Sequence, residues 1–183
     1  MNGLSNPGGV SRRSTLIALP VLATSWLDLI VSGASGAEDR FDYLSANGNS
    51  NCSTRFMQSI ATMPDDMRLQ GSCCSSMDRG RYSSQVRGLE RYATIAEIPP
   101  DPYDIAAGLA NRLMARYDDV LNTPEQLVYQ YAMGHSREQG PCCCQCWRWR
   151  LYGGLAKVLI RQRGFTGEQI VDVWDLSDGC GGS

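Results

Sequence analysis

Pro141-Cys142-Cys143-Cys144-Gln145-Cys146-Trp147-Arg148-Trp149-Arg150 is the stretch from which the rest of the chain is read. Four of the eight cysteines fall within five positions here, and two tryptophans follow at once. Gln139-Gly140 reads as a loop and Pro141 as a first helical position, where the missing N–H costs nothing. No further proline interrupts the segment up to Arg163, so the pattern predicts one helix from Pro141 to about Arg163. On such a helix Cys142, Cys146, Trp149, Gly153, Ala156 and Ile160 share a stripe, with Cys143 beside it. Cys144 would point about 200° away from Cys142, so a helix brings Cys142, Cys143 and Cys146 together but leaves Cys144 out. Helix N-termini favour thiolates and anions, because their first N–H groups are unpaired.

The composition bounds what these thiols serve. A chain of 183 residues, 43% hydrophobic and 20% charged, is of ordinary globular make-up and can bury one core. A formal charge of -2 offers no electrostatic basis for binding nucleic acid or an anionic membrane. His135 is the only histidine, so a multi-histidine metal site within one chain is excluded and any metal must be held mainly by sulfur. Asp101, Asp104, Asp118 and Asp119 form no catalytic pattern, and no catalytic residue is assigned.

Residues 1–37 carry the marks of an export signal rather than of structure. Ser11-Arg12-Arg13-Ser14-Thr15-Leu16-Ile17 resembles the twin-arginine (Tat) motif, with Thr15 where that family prefers phenylalanine. An apolar run from Leu16 to Leu27 follows, interrupted by Asp28, and Ser35-Gly36-Ala37 offers small residues for cleavage before Glu38. The apolar run is too short to span a bilayer. The resemblance implies a partner in the Tat export machinery, a periplasmic or extracellular destination with no stable membrane span after cleavage, and a protein exported already folded.

Residues 38–51 are polar and rich in Gly, Ser and Asn, and read as a flexible lead-in to a cysteine-rich domain over 52–183. Ser53 or Thr54 caps a short helix ended by Pro64. Cys73-Cys74 lies in a serine-rich turn before a helix from about Asp78 to Tyr92. After the Pro99-Pro100 link, Ile105, Leu109, Leu113 and Tyr117 at spacing four predict a helix from Pro102 or Tyr103 to about Leu121. Thr123-Pro124-Glu125-Gln126 and Thr166-Gly167-Glu168-Gln169 are helix starts, ending near Ser136 and Leu176. The expected fold is all-α, about six helices with cysteines in the connections.

Three chemistries compete for the cysteines. The adjacent and near-adjacent thiols are similar, in local spacing alone, to the Cys-Cys and Cys-x-Cys runs of metallothionein-like soft-metal binders. Thiolate donors select Cu(I), Zn(II) or an iron–sulfur cluster, and the expected ligands are Cys73, Cys74, Cys142, Cys143, Cys146 and Cys180. Cys144 is left out by helix direction and Cys52 by its place near the lead-in. A disulfide framework is the alternative for an exported chain with an even cysteine count. A thiol–disulfide oxidoreductase is the third, without the βαβ context such enzymes use. Met77 reads as a core residue before a thioether ligand, and His135 as a surface or capping group. Trp147 and Trp149 read as one core and one half-buried side chain, and Arg148 and Arg150 as solvated, or as an offset to negative charge if they lie near a thiolate cluster. Gly153-Gly154 calls for close approach by another segment, expected to be the Cys73-Cys74 turn or the glycine-rich tail.

Overall fold

The computed structural model describes residue 36 and residues 38–181; the twin-arginine stretch lies outside them. The described residues form a mostly helical domain with one two-stranded sheet. In chain order these are α1 (residues 38–46), α2 (Thr54–Ile60), β1 (Arg68–Gln70), α3 (Arg79–Leu89), β2 (Asp104–Ala106), α4 (Ala107–Met114), α5 (Thr123–His135), α6 (Trp147–Arg163) and α7 (Gly167–Ser177). The all-α expectation holds, at seven helices among the described residues.

Helix α6 is the hub. It is buried on most sides, from Trp147 through Ile160, and packs against α4, α5 and α7, while α3 lies on α7. A helix enclosed this way carries no single apolar stripe, because neighbours cover it all round. Its glycines set the α4 approach: a Cβ on Gly154 would collide with the Leu113 carbonyl oxygen, and one on Gly153 would sit 2.8 Å from the Tyr117 ring. The segment that approaches these glycines is therefore α4 and the residues after it. Lys157 adds to the same seam, donating to the Asp119 carbonyl at 2.8 Å and to that of Tyr117. Gly164, at φ 65°, closes the helix in the left-handed conformation that glycine adopts without a Cβ penalty.

Three boundaries differ from the sequence expectation, each for a non-local reason. First, the supposed helix start at Pro141 is a run of bends, and α6 begins only at Trp147 with Cys146 as its N-cap. Second, Asp104–Ala106 are not helical. They pair antiparallel with β1, Leu69 opposite Ile105, and the first N–H groups of α4 are taken by the Met67 and Asp65 carbonyls. Third, the lead-in is ordered: Phe41 and Leu44 of α1 pack with Tyr82 and Tyr103 in a second apolar cluster, which also takes Met77. Asn49 then accepts from the Gln70 N–H at 2.8 Å and donates to the Arg68 carbonyl at 2.8 Å, fixing the chain that delivers Cys52.

Local capping chemistry is where the expectation was legible. Ser53 caps α2 and Asp78 caps α3. Thr166 and Gln169 form the reciprocal capping box of α7. At α5 the box is shifted by one residue: Asn122 is the N-cap and Glu125 its partner.

Candidate metal centre

Four separate segments converge on one point beside the N-terminus of α6. Cys52 precedes the α2 cap, Cys73 and Cys74 occupy the turn after β1, Cys142 to Cys146 form the α5–α6 loop, and Cys180 follows α7. The anchors of that convergence are mostly main chain. Gly71 N–H donates to the Tyr103 carbonyl at 2.9 Å, and the Ser75 N–H and hydroxyl both donate to the Cys180 carbonyl at 3.0 Å. Ser136 Oγ accepts from Gly140 N–H at 2.8 Å and donates to its carbonyl, turning the chain out of α5 into the cysteine loop.

All eight cysteines are free thiols and their sulfurs form one connected network. Cys142 and Cys180 Sγ are 2.8 Å apart, Cys52 and Cys74 3.1 Å, Cys52 and Cys144 3.2 Å, Cys74 and Cys144 3.5 Å, Cys74 and Cys143 3.6 Å, Cys73 and Cys74 3.7 Å, and Cys73 and Cys180 4.0 Å. The six residues expected as ligands are all in this network. The exclusion of Cys52 and Cys144 is corrected: Cys52 touches three other cysteines and Cys144 lies within the same groups. The reason is the irregular 141–146 loop. A helix would splay its thiols around an axis, whereas a chain of bends brings all four into the interlinked groups.

Two further residues complete the site, one of them unmarked in the sequence reading. Asp178, 3% exposed, has a carboxylate oxygen 3.9 Å from Cys142 Sγ, and the same oxygen accepts from Cys180 N–H at 3.1 Å. Its other oxygen pairs with Arg81, and Gln85 donates to its carbonyl at 2.8 Å. Asp178-Gly179-Cys180 is the spacing of an aspartate turn, which was the readable signal. Arg148, expected in solvent, is wholly buried. Its guanidinium donates to the Gly71 carbonyl at 2.9 Å and to that of Pro102, while Nε has no partner. A Cβ on Gly179 would collide with this guanidinium, so the glycine-rich tail passes directly over it. Among the described residues no carboxylate makes an ion pair with Arg148. Trp147, also fully buried, lies in the same apolar cluster as Cys142, Cys146 and Cys180. The half-buried Trp149 donates to the Tyr117 hydroxyl at 2.9 Å.

Crowding governs the protonation of the thiols. Hydrogen bonds from Cys142, Cys146 and Cys180 hold the Cys73 thiol far below its ordinary pKa, against burial and with help from Arg148. Those same contacts push Cys142 far up. Burial, more than its sulfur neighbours, raises Cys74 to about 12, and burial likewise raises Cys144 to about 11. Burial acts to lower the Arg148 pKa, but the charges of Cys73, Tyr152, Cys142 and Cys146 reverse this and hold it above its usual value. Neighbouring thiols cannot all ionise together unless a cation is shared among them.

His135 stands apart at the end of α5, stacked on Tyr131, and is in none of the candidate metal-binding groups. The chain matches no family model, no curated protein and no solved structure with which it was compared. The eight clustered cysteines thus stand as a candidate metal-binding site on the geometry alone.

Proposed function

We propose that this protein binds several soft metal ions, Cu(I) or Zn(II), in a single polynuclear thiolate site, and that it is exported by the twin-arginine route. The observation that carries the metal reading is the sulfur spacing. Two thiolates on one tetrahedral zinc, each at about 2.3 Å, stand about 3.8 Å apart, and the longer Sγ separations of 3.5 to 4.0 Å bracket that value. The cysteines of a [4Fe–4S] cube each take a different iron and stand further apart than ligands of one ion, so an iron–sulfur cluster ranks below. Where more than two ions bind, the sulfurs shared between the interlinked groups serve as bridging thiolates, which d¹⁰ ions accept.

The disulfide reading keeps one specific observation in its favour, the 2.8 Å approach of Cys142 to Cys180. Against it stands Arg148. Paired cystines are neutral, and would leave the buried guanidinium with only the more distant Asp101 carboxylate and the Trp147 and Tyr103 rings to offset its charge, a costly arrangement for a buried ion. A thiolate–metal cluster is anionic and supplies the missing charge. Nothing in the fold recommends the oxidoreductase reading, and the site residues act as ligands.

Elemental analysis with a free-thiol count, on protein purified without air, tests this. The expected result is about two Zn(II) per chain at four thiolates each, or more Cu(I) where sulfurs bridge, with thiols titratable only after unfolding and stripping. Absence of metal together with absence of thiols under non-reducing denaturation establishes the disulfide framework instead. For export, replacing Arg12 and Arg13 by lysine should retain the protein in the cytoplasm with residues 1–37 uncleaved. Unchanged processing and location would overturn the twin-arginine reading.

A further inference from the structure

We propose that the eight thiolates are divided into two tiers of unequal lability: an inner, holding tier of Cys73, Cys142, Cys146 and Cys180, and an outer, exchange tier of Cys52, Cys74, Cys143 and Cys144 through which soft metal ions pass in and out. The inference rests on the soft-metal reading and adds a path to it. Its first support is the pattern of contacts. Within the inner set, Cys180 Sγ lies 2.8 Å from that of Cys142 and 4.0 Å from that of Cys73, and Cys146 belongs to the set by its burial. Within the outer set, Cys52, Cys74 and Cys144 are mutually within 3.1 to 3.5 Å, and Cys143 lies 3.6 Å from Cys74.

Burial separates the same two sets. Cys142, Cys146 and Cys180 are buried and Cys73 partly so, whereas Cys74 and Cys143 are exposed and Cys52 and Cys144 half-buried. Charge separates them as well: Arg148 lies on the inner side, against Gly179 next to Cys180 and donating to the Gly71 carbonyl two residues before Cys73. Solvent screens the outer thiolates, so they need no such partner. A cavity of about 250 Å³ opens at the outer tier, lined by Cys74 and Cys143 together with Arg81 and Glu138. Cys180 also lines it and lies within 4.8 Å of Cys74, Cys143 and Cys144; with Cys146 beside Cys52 and Cys144, and Cys73 beside Cys52 and Cys74, these contacts join the tiers.

Transfer is then a ligand exchange. A metal ion arriving on small-molecule thiolates is taken by Cys74 and Cys143, whose protons pass to the carrier thiolates they displace. The metal–sulfur bonds broken and formed are equal in number, and no oxidation state changes. The ion moves inward across the adjacent pair Cys73 and Cys74, 3.7 Å apart at sulfur. Release runs the same steps backward.

The full chain loaded with Zn(II), mixed with excess chromophoric chelator, reads the tiers as phases. A fast and a slow release are expected, separated by about tenfold or more in rate, because the inner ions wait on local opening. Cys143→Ser should remove the fast phase and leave the slow rate in place. One phase for the native protein, or equal acceleration of both phases in C143S, overturns the tiers while leaving metal binding intact. Timed alkylation of the loaded native protein, mapped by mass spectrometry, needs no variant to fold. Cys74 and Cys143 should react first, and equally early reaction of Cys142 or Cys146 overturns the assignment. A chain that takes up no zinc at all would instead defeat the soft-metal reading on which both tiers depend.

Discussion

Arg148 carries the sharpest consequence of any single residue. A guanidinium that among the described residues forms no ion pair, and donates to the carbonyls of Gly71 and Pro102, is one that a negatively charged sulfur cluster would stabilise. Arg148→Met should therefore weaken metal binding by about 10–100-fold, the range for a residue that supports ligands without touching the metal. Arg148→Lys keeps the charge and should recover most of that loss, as read by competition with a chelator of known affinity. Equal loss in both variants would mean that shape rather than charge matters. Gly154 makes a different kind of claim. An alanine there drives its methyl group into the Leu113 carbonyl, and the α4–α6 seam has no flexible side chain at that point to give way. G154A should cost about 3 kcal/mol, the upper end for overpacking, measured by denaturant unfolding of metal-loaded protein.

Elements divide cleanly into those whose start is local chemistry and those whose start depends on distant chain. The α7 box of Thr166 and Gln169 was readable because both partners lie within one turn. At α5 the same logic was off by one residue, since Thr123-Pro124 and Asn122-Thr123 both present a capping side chain before the helix. The structure assigns the role to Asn122. Asn122→Ala should then lower stability by about 1 kcal/mol, while Thr123→Ala should change the urea midpoint little. A larger effect at Thr123 would restore the sequence reading. The start of α6 could not be read from its own residues. Pro141 and the cysteine spacing suit a helix, yet sulfur contacts to Cys52, Cys74 and Cys180 hold residues 141–146 out of it. For the same reason Cys52 and Cys144 were lost to view: their value lies in neighbours 22 and 92 residues away. The strands are three residues each, too short for alternation to announce them.

At the scale of the whole molecule the all-helical class was legible, because composition and helix-start signals are summed along the chain. The site was legible as chemistry but not as a place. Four segments meet at it, so a bound metal cluster would close the long loops between Cys52, Cys74, Cys142 and Cys180. Stripping the metal should thus lower the thermal midpoint of the reduced protein markedly, since binding free energy here is also folding free energy. Alkaline pH separates the two states further. Cys74 and Cys144 have metal-free pKa values raised from 9.0 to about 12 and about 11. A raised thiol contributes stability that is complete below its unfolded pKa and lost as pH climbs through the folded value. The reduced metal-free chain should therefore weaken progressively above pH ~9. The loaded chain, whose thiols have already given up their protons, should show no such decline, and parallel melts across that range check it. The placement of Trp147 gives the protein an optical voice. Its buried indole shares a core with Cys142, Cys146 and Cys180, so the charge and contacts around it change when those sulfurs exchange protons for metal ions. Emission should change as ions arrive and revert as they depart, making the chain its own unlabelled gauge of how full it is.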